Sequence, residues 1–152
     1  LVSLPHIQAS RAWVAVLAEA LQPEATSPPV LAAVHPALDL AASRFMDGAR
    51  DALSATADLS GLGMVVLGAA RATANLPADF MQQVGPAGAF PEGQTLAARF
   101  MAAATEARRL GGLPAGAILV LAGLSPGRAV TPGEGLSLDF GAPFGVVTAR
   151  FA

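Results

Sequence analysis

The chain has 152 residues, enough for one domain with a single core, and its 53% apolar content against only 13% charged residues excludes an intrinsically disordered polypeptide. A formal net charge of −2 excludes a nucleic-acid binder that works by bulk electrostatics. All nine basic residues are arginine, and lysine, cysteine and tyrosine are absent, which removes Schiff-base amines, disulfides, thiolate nucleophiles and cysteine zinc sites.

Residues 12–21, AWVAVLAEAL, are apolar and ambiguous between strand and helix: the alanines suit a helix, whereas Trp13, Val14 and Val16 suit a strand. A polar, proline-bearing turn follows from Gln22 to Pro29. Thr26 or Ser27 is placed to cap a short helix through Val30–Val34, with proline in its first turn and Pro36 as its stop. Ala37–Ala42 reads as a short strand, and residues 43–54 as a mixed segment. The run from Gly61 to Gly68 reads as a buried strand between turns, and residues 71–93 as loop, punctuated by proline and glycine.

The clearest helix runs from Leu96 to Leu110, with Thr95 as its cap and Leu96, Phe100, Ala103 and Ala107 as an apolar stripe. Arg108 and Arg109 lie in its last turn, and Gly111, Gly112 and Pro114 end it. Ala117–Leu121 then reads as a buried strand. Leu136, Leu138 and Phe140 alternate with polar neighbours, as do Val147, Ala149 and Phe151 after a Gly141-Ala142-Pro143 turn, which predicts an antiparallel hairpin with one wet face. The fold class expected is α+β, one domain over 1–152 with a β-rich core and a few flanking helices.

The longest uncharged stretch, Leu110–Gly127, is broken by glycine and proline and does not make a membrane span. The chain starts at Leu1 without methionine and with no basic region before an apolar core, so the expectation is a processed or truncated soluble protein of the cytoplasm. His6 and His35 are the two histidines, one near a terminus and one before a proline, and both read as ordinary structural or solvated side chains. The Gly61-x-Gly63 pair precedes its apolar strand rather than following it, so it is no dinucleotide fingerprint. Asp47 and Asp51, interleaved with Arg44 and Arg50, read as a solvated ion-paired helix face. Asp39 interrupts an apolar run, where a carboxylate is costly to bury without a partner or a cation. Asp58 suits a turn. From residues alone, no defined reaction follows.

The order of these segments resembles the 2-keto-4-pentenoate hydratase / 4-oxalocrotonate decarboxylase family of the fumarylacetoacetate hydrolase superfamily. The likeness is strongest over Leu113-Pro-Ala-Gly-Ala-Ile-Leu-Val-Leu-Ala-Gly-Leu-Ser-Pro-Gly-Arg-Ala-Val-Thr-Pro-Gly133 and Phe144-Gly-Val-Val-Thr-Ala-Arg-Phe151. Ser60-Gly-Leu-Gly-Met-Val-Val-Leu-Gly68 resembles the family's S-x-G-x-V-L-G strand, and Pro36 to Gly48 its P-x-E-I-V-D-S-R segment. The resemblance begins partway into the family pattern, so that the family's N-terminal portion is missing. It implies mixed sheets in a β-rich roll, a divalent metal (Mg2+ or Mn2+), and a 2-oxo or 2-hydroxydienoate substrate that is hydrated or decarboxylated.

The departures fall on polar positions. The family's E-x-E metal pair is placed by the resemblance on Ser10 and Ala12, neither a carboxylate, and its third carboxylate on Asp39. Ala42 stands for the aspartate of D-S-R, while Ser43 and Arg44 remain. Leu59 stands near the asparagine of D-N-A-S, while Asp58 and Ser60 remain. Gly116-Ala117 replaces G-D, Leu121 replaces a hydroxyl residue, and Gly93-Gln94-Thr95 replaces G-H-P. Scaffold residues persist and chemistry-bearing ones do not. The implied protein is a degenerate, non-catalytic member needing no cofactor, a structural or regulatory subunit in a homo- or hetero-oligomer with an active paralogue, with no nucleic acid and no membrane. Weak catalytic positions that remain are Asp58, Ser60 and Arg44, with Asp39 as the one metal position. An alternative is an active lyase using Asp39, Asp58 and Glu19 or Asp47 as substitute ligands for Mg2+ or Mn2+. A third reading is a metal-free small-molecule binding module with an apolar cavity.

Overall fold

A computed structural model describes residues 7–45, 49–58, 61, 63–84 and 93–151. Strand β1, Ile7–Leu17, is the centre of the molecule: β-branched and aromatic residues decide the ambiguous segment in favour of a strand. It pairs antiparallel with β2, Leu31–Ala42, over nearly its whole length. The helix expected over Val30–Val34 is instead the start of β2, which runs straight through Pro36. Pro36 is tolerated because its carbonyl accepts from Gly68 N (2.8 Å), so the missing N–H faces the same side, away from β1. On that side the partner strands are interrupted: β3, Met64–Leu67, ends opposite Ala37, and β4, Arg71–Ala72, begins opposite Val34. The short strand expected at Ala37–Ala42 is thus the second half of a 12-residue one.

The other edge of β1 pairs with β5, Ile118–Leu121, and with β6, Arg128–Ala129. This gives a six-stranded antiparallel sheet with the path β3-β2-β1-β5, β4 and β6 lying off that path on β2 and β1. A separate hairpin of β7, Gly135–Asp139, and β8, Val146–Arg150, forms as the alternation predicts, with Ser137 and Thr148 hydroxyls joined at 3.0 Å on its wet face. Two α-helices, one of 6 residues and one of 14, and short 3-10 turns complete the described chain. Helix α1, Ala52–Ala57, is capped by Asp51 in a capping box with Ser54, so Asp51 is a cap and not part of a charged helix face. Asp47 lies outside the described residues. Helix α2, Leu96–Arg109, starts on its Thr95 cap as expected. Arg109 pairs with Glu106 on the surface, whereas Arg108 is buried and donates to Ser27 O at 2.8 Å.

Because successive strand residues alternate sides, the sheet has two distinct faces. One carries Ala9, Arg11, Trp13, Ala15 and Leu17 of β1 with Val34, Pro36, Leu38 and Leu40 of β2. Helix α2, the 3-10 turn Phe80–Gln82 and the β7–β8 hairpin pack on this face and bury Phe80, Phe100, Leu38 and Val34 completely. Trp13 sits edge-on to Phe80, Phe140 and Phe144, with centroids 4.6–5.2 Å away. The opposite face carries Gln8, Ser10, Ala12 and Val14 beside His35, Ala37, Asp39 and Ala41. Strands β3 and β5 are less buried than their apolar sequences predict: Met64, Leu67, Ile118 and Val120 are all exposed, and only Leu119 of β5 is buried. The reason is position, since both strands are sheet edges. The class is α+β with a β-rich core and few helices.

Candidate functional site

The second face gathers most of the residues singled out in the sequence. Antiparallel register places Ser10 directly opposite Asp39. The Ser10 hydroxyl donates to Asp39 Oδ2 in a long hydrogen bond of 3.5 Å. Burial strips water from the half-buried Asp39 carboxyl and holds it above the ordinary value of 3.8, with the Ser10 hydroxyl pulling it partly back. Ala12 lies opposite Ala37, both without exposed surface, and offers this face only a methyl group. Gln8, on the other flank of Ser10 and opposite Ala41, is the polar neighbour that sequence reading missed. Period-two alternation from Ser10 was the signal that finds it.

Beyond Gln8, at the end of the same face, Ser43, Ala49, Ala55, Asp58 and Gly61 join Gln8 and Ala41 around an open pocket of about 380 Å³. Asp58 is buried there and accepts from Arg44 N at 2.7 Å. The Arg44 guanidinium donates to Asp58 O at 2.7 Å and stands 3.7 Å from the carboxylate. The Arg44 backbone N–H, chiefly, holds the Asp58 carboxyl below its ordinary value, against the opposing effect of desolvation, with smaller help from Ser43 and the Arg44 charge. Asp58 also ends α1, its N–H donating to Ser54 O. This carboxylate is therefore a tie between the α1 segment and the end of β2. Ser60 and Leu59 lie outside the described residues.

The other positions do not join this group. Glu19 is exposed beyond the far end of β1, roughly 30 Å of strand from Ser10, which removes it as a substitute ligand. His35 shares the face but is held by Gly68 O at 2.9 Å from Nδ1, and His6 lies outside the described residues. Gly61-x-Gly63 serves the backbone: a Cβ at Gly63 would lie 1.9 Å from Leu40 O, so only glycine lets the chain enter β3 there. No three Asp, Glu or His side chains converge among the described residues. A half-buried face with one carboxylate, one hydroxyl and one neutral amide is a poor fit to a tightly held divalent cation, which takes several oxygen ligands with enough charge to offset its dehydration.

No family model and no curated protein matches the sequence. Solved structures do match. The fold is similar to that of a 4-oxalocrotonate decarboxylase. One such structure, from Pseudomonas putida G7 in complex with calcium and acetate, superposes with a TM-score of 0.74 at 21% identity, over 97% of this chain and 60% of that one. A second, of the same enzyme with magnesium and adipate, gives 0.75 at 20% identity, over 97% and 61%. The chain thus spans about three-fifths of the length of these neighbours. The likeness is one of fold, and it supports the family resemblance at that level.

Proposed function

We propose that this chain is a non-catalytic member of the hydratase/decarboxylase fold, serving as a structural or regulatory subunit in an oligomer with a paralogue that keeps its carboxylates. One observation carries this reading: the position opposite Asp39 holds Ser10, a hydroxyl, and the next position of β1 on the same face holds Ala12, a methyl. The structural neighbours are described with calcium or magnesium. Brought to this chain, such an ion would find Asp39 as its single charged ligand, and Asp39 is itself held toward its neutral form by burial. Asp58 is no second ligand, because its buried carboxylate is already bonded by the Arg44 main chain.

The subunit role is supported by the surroundings of that face. Leu67, Ile118 and Val120, from both edges of the sheet, flank it with exposed apolar side chains opposite Ala37, Val16 and Val14. Titration calorimetry with magnesium and then manganese, with and without oxalate as a 2-oxo-acid mimic, tests the loss of the metal. The expected result is no saturable heat and no metal-dependent loss of dienoate absorbance. Oxalate-enhanced metal binding that disappears in Asp39→Ala would overturn the proposal and restore the lyase reading.

A further inference from the structure

The opposite face of the sheet holds a second, larger cavity of about 570 Å³, between β1, the start of α2 and the Leu124–Pro126 loop. Its walls are mainly apolar, with Trp13, Leu96, Leu124 and Phe140 among them, and Arg11 is the one charged residue among the described residues that line it. Arg11 has no business on this face by hydropathy: it occupies the core-facing side of the central strand, directly opposite the fully buried Leu38. Beside it the second edge of β1 has no strand partner, because β5 pairs only from Trp13 onward and β6 only up to Ala9, and loop residues fix its backbone instead. In the gap, Arg11 N donates to Ser125 Oγ at 3.0 Å and Arg11 O accepts from Leu124 N at 3.0 Å.

The guanidinium carbon sits 4.9 Å from the centroid of the Phe140 ring. Stacking on an aromatic face occupies the flat side of a guanidinium and leaves its in-plane N–H donors available, in the fork geometry that matches a carboxylate. No carboxylate among the described residues forms an ion pair with Arg11. A cation fixed in position, backed by an aromatic ring, and set into an apolar cavity of ligand size is a recognition site for an anion with an apolar body.

We propose that this cavity binds an organic monocarboxylic acid, its carboxylate on the Arg11 guanidinium and its apolar body against Trp13 and Leu124. The site needs no metal and lies across the sheet from Ser10 and Asp39, so it stands whether or not the non-catalytic reading does.

Trp13 is the single tryptophan of the chain and lines this cavity, so a ligand bound there changes the emission of the only indole. The test is a fluorescence titration with 4-phenylbutyrate in a metal chelator, beside the uncharged 4-phenylbutyramide. The expected result is a saturable change with the acid and binding at least about tenfold weaker for the amide. Arg11→Gln should weaken the acid by at least about tenfold with its melting curve intact, and Asp39→Ala should leave it unchanged. The amide comparison uses the unaltered chain and so decides the question even if Arg11→Gln fails to fold. No saturable change, equal binding of acid and amide, or loss of binding in Asp39→Ala would overturn the proposal.

Discussion

At the scale of single residues, the two aspartates of the second face act on stability with opposite signs. The folded state raises the affinity of Asp39 for its proton. Between 3.8 and that raised value the native chain therefore holds more proton than the unfolded one, and stability falls as pH rises through this window, staying at the lower level above it. Asp39→Asn keeps an acceptor for the Ser10 hydroxyl and removes the desolvated charge. It is expected to stabilise the protein at neutral pH by up to about 1 kcal/mol, and the advantage should vanish once the pH drops below 3.8, as measured by denaturant unfolding at both pH values. Asp58 works the other way: its lowered proton affinity contributes stability above 3.8 that is lost as pH falls through its folded value. The Ser10–Asp39 juxtaposition was partly legible in the sequence, because an aspartate inside an apolar run asks for a polar partner. The Arg44–Asp58 tie was not, since it is made by a backbone N–H whose aim depends on the path of a loop.

At the scale of elements, the chain's glycines and prolines were harder to read than its apolar runs. The residues Val30–Val34, entered through Pro28 and Pro29, carry the marks of a helix start, yet the chain from Leu31 onward is strand, and Pro36 is tolerated within it because the gap between β3 and β4 leaves its absent donor nowhere it is needed. Helix α2 was legible end to end, since its Thr95 cap, apolar stripe and closing Gly111-Gly112 agree with one another. The edge strands β3 and β5 were legible as strands but not in their burial, because an apolar run looks the same whether a layer covers it or not. Gly63 controls how β3 joins the sheet. Gly63→Ala sets a methyl carbon against Leu40 O, and is expected to cost about 2–3 kcal/mol and to expose the Met64–Leu67 amides, read by denaturant unfolding and hydrogen exchange.

At the scale of the whole molecule, one layered core joins the sheet to α2 and to the hairpin, and Phe80 is its keystone in packing. It is fully buried and touches both Trp13 and Phe144, which come from the sheet and from the hairpin connection. Phe80→Ala is expected to cost about 3–5 kcal/mol and to shift the Trp13 emission toward that of a solvated indole, both read in one thermal melt followed by fluorescence. The cavity beside Trp13 had no linear signature, because its walls come from strand, helix and loop segments far apart in the sequence. The central place of β1 has a consequence for how the protein is made. Its second edge is closed by residues synthesised roughly a hundred positions later, Ile118–Leu121 and Arg128–Ala129. At about 5–20 residues per second, the strand that organises the entire sheet spends about 5–20 s outside the ribosome with an open row of donors and acceptors. The nascent chain's most aggregation-prone moment is therefore set by the order of its strands, and the last third of the sequence ends it.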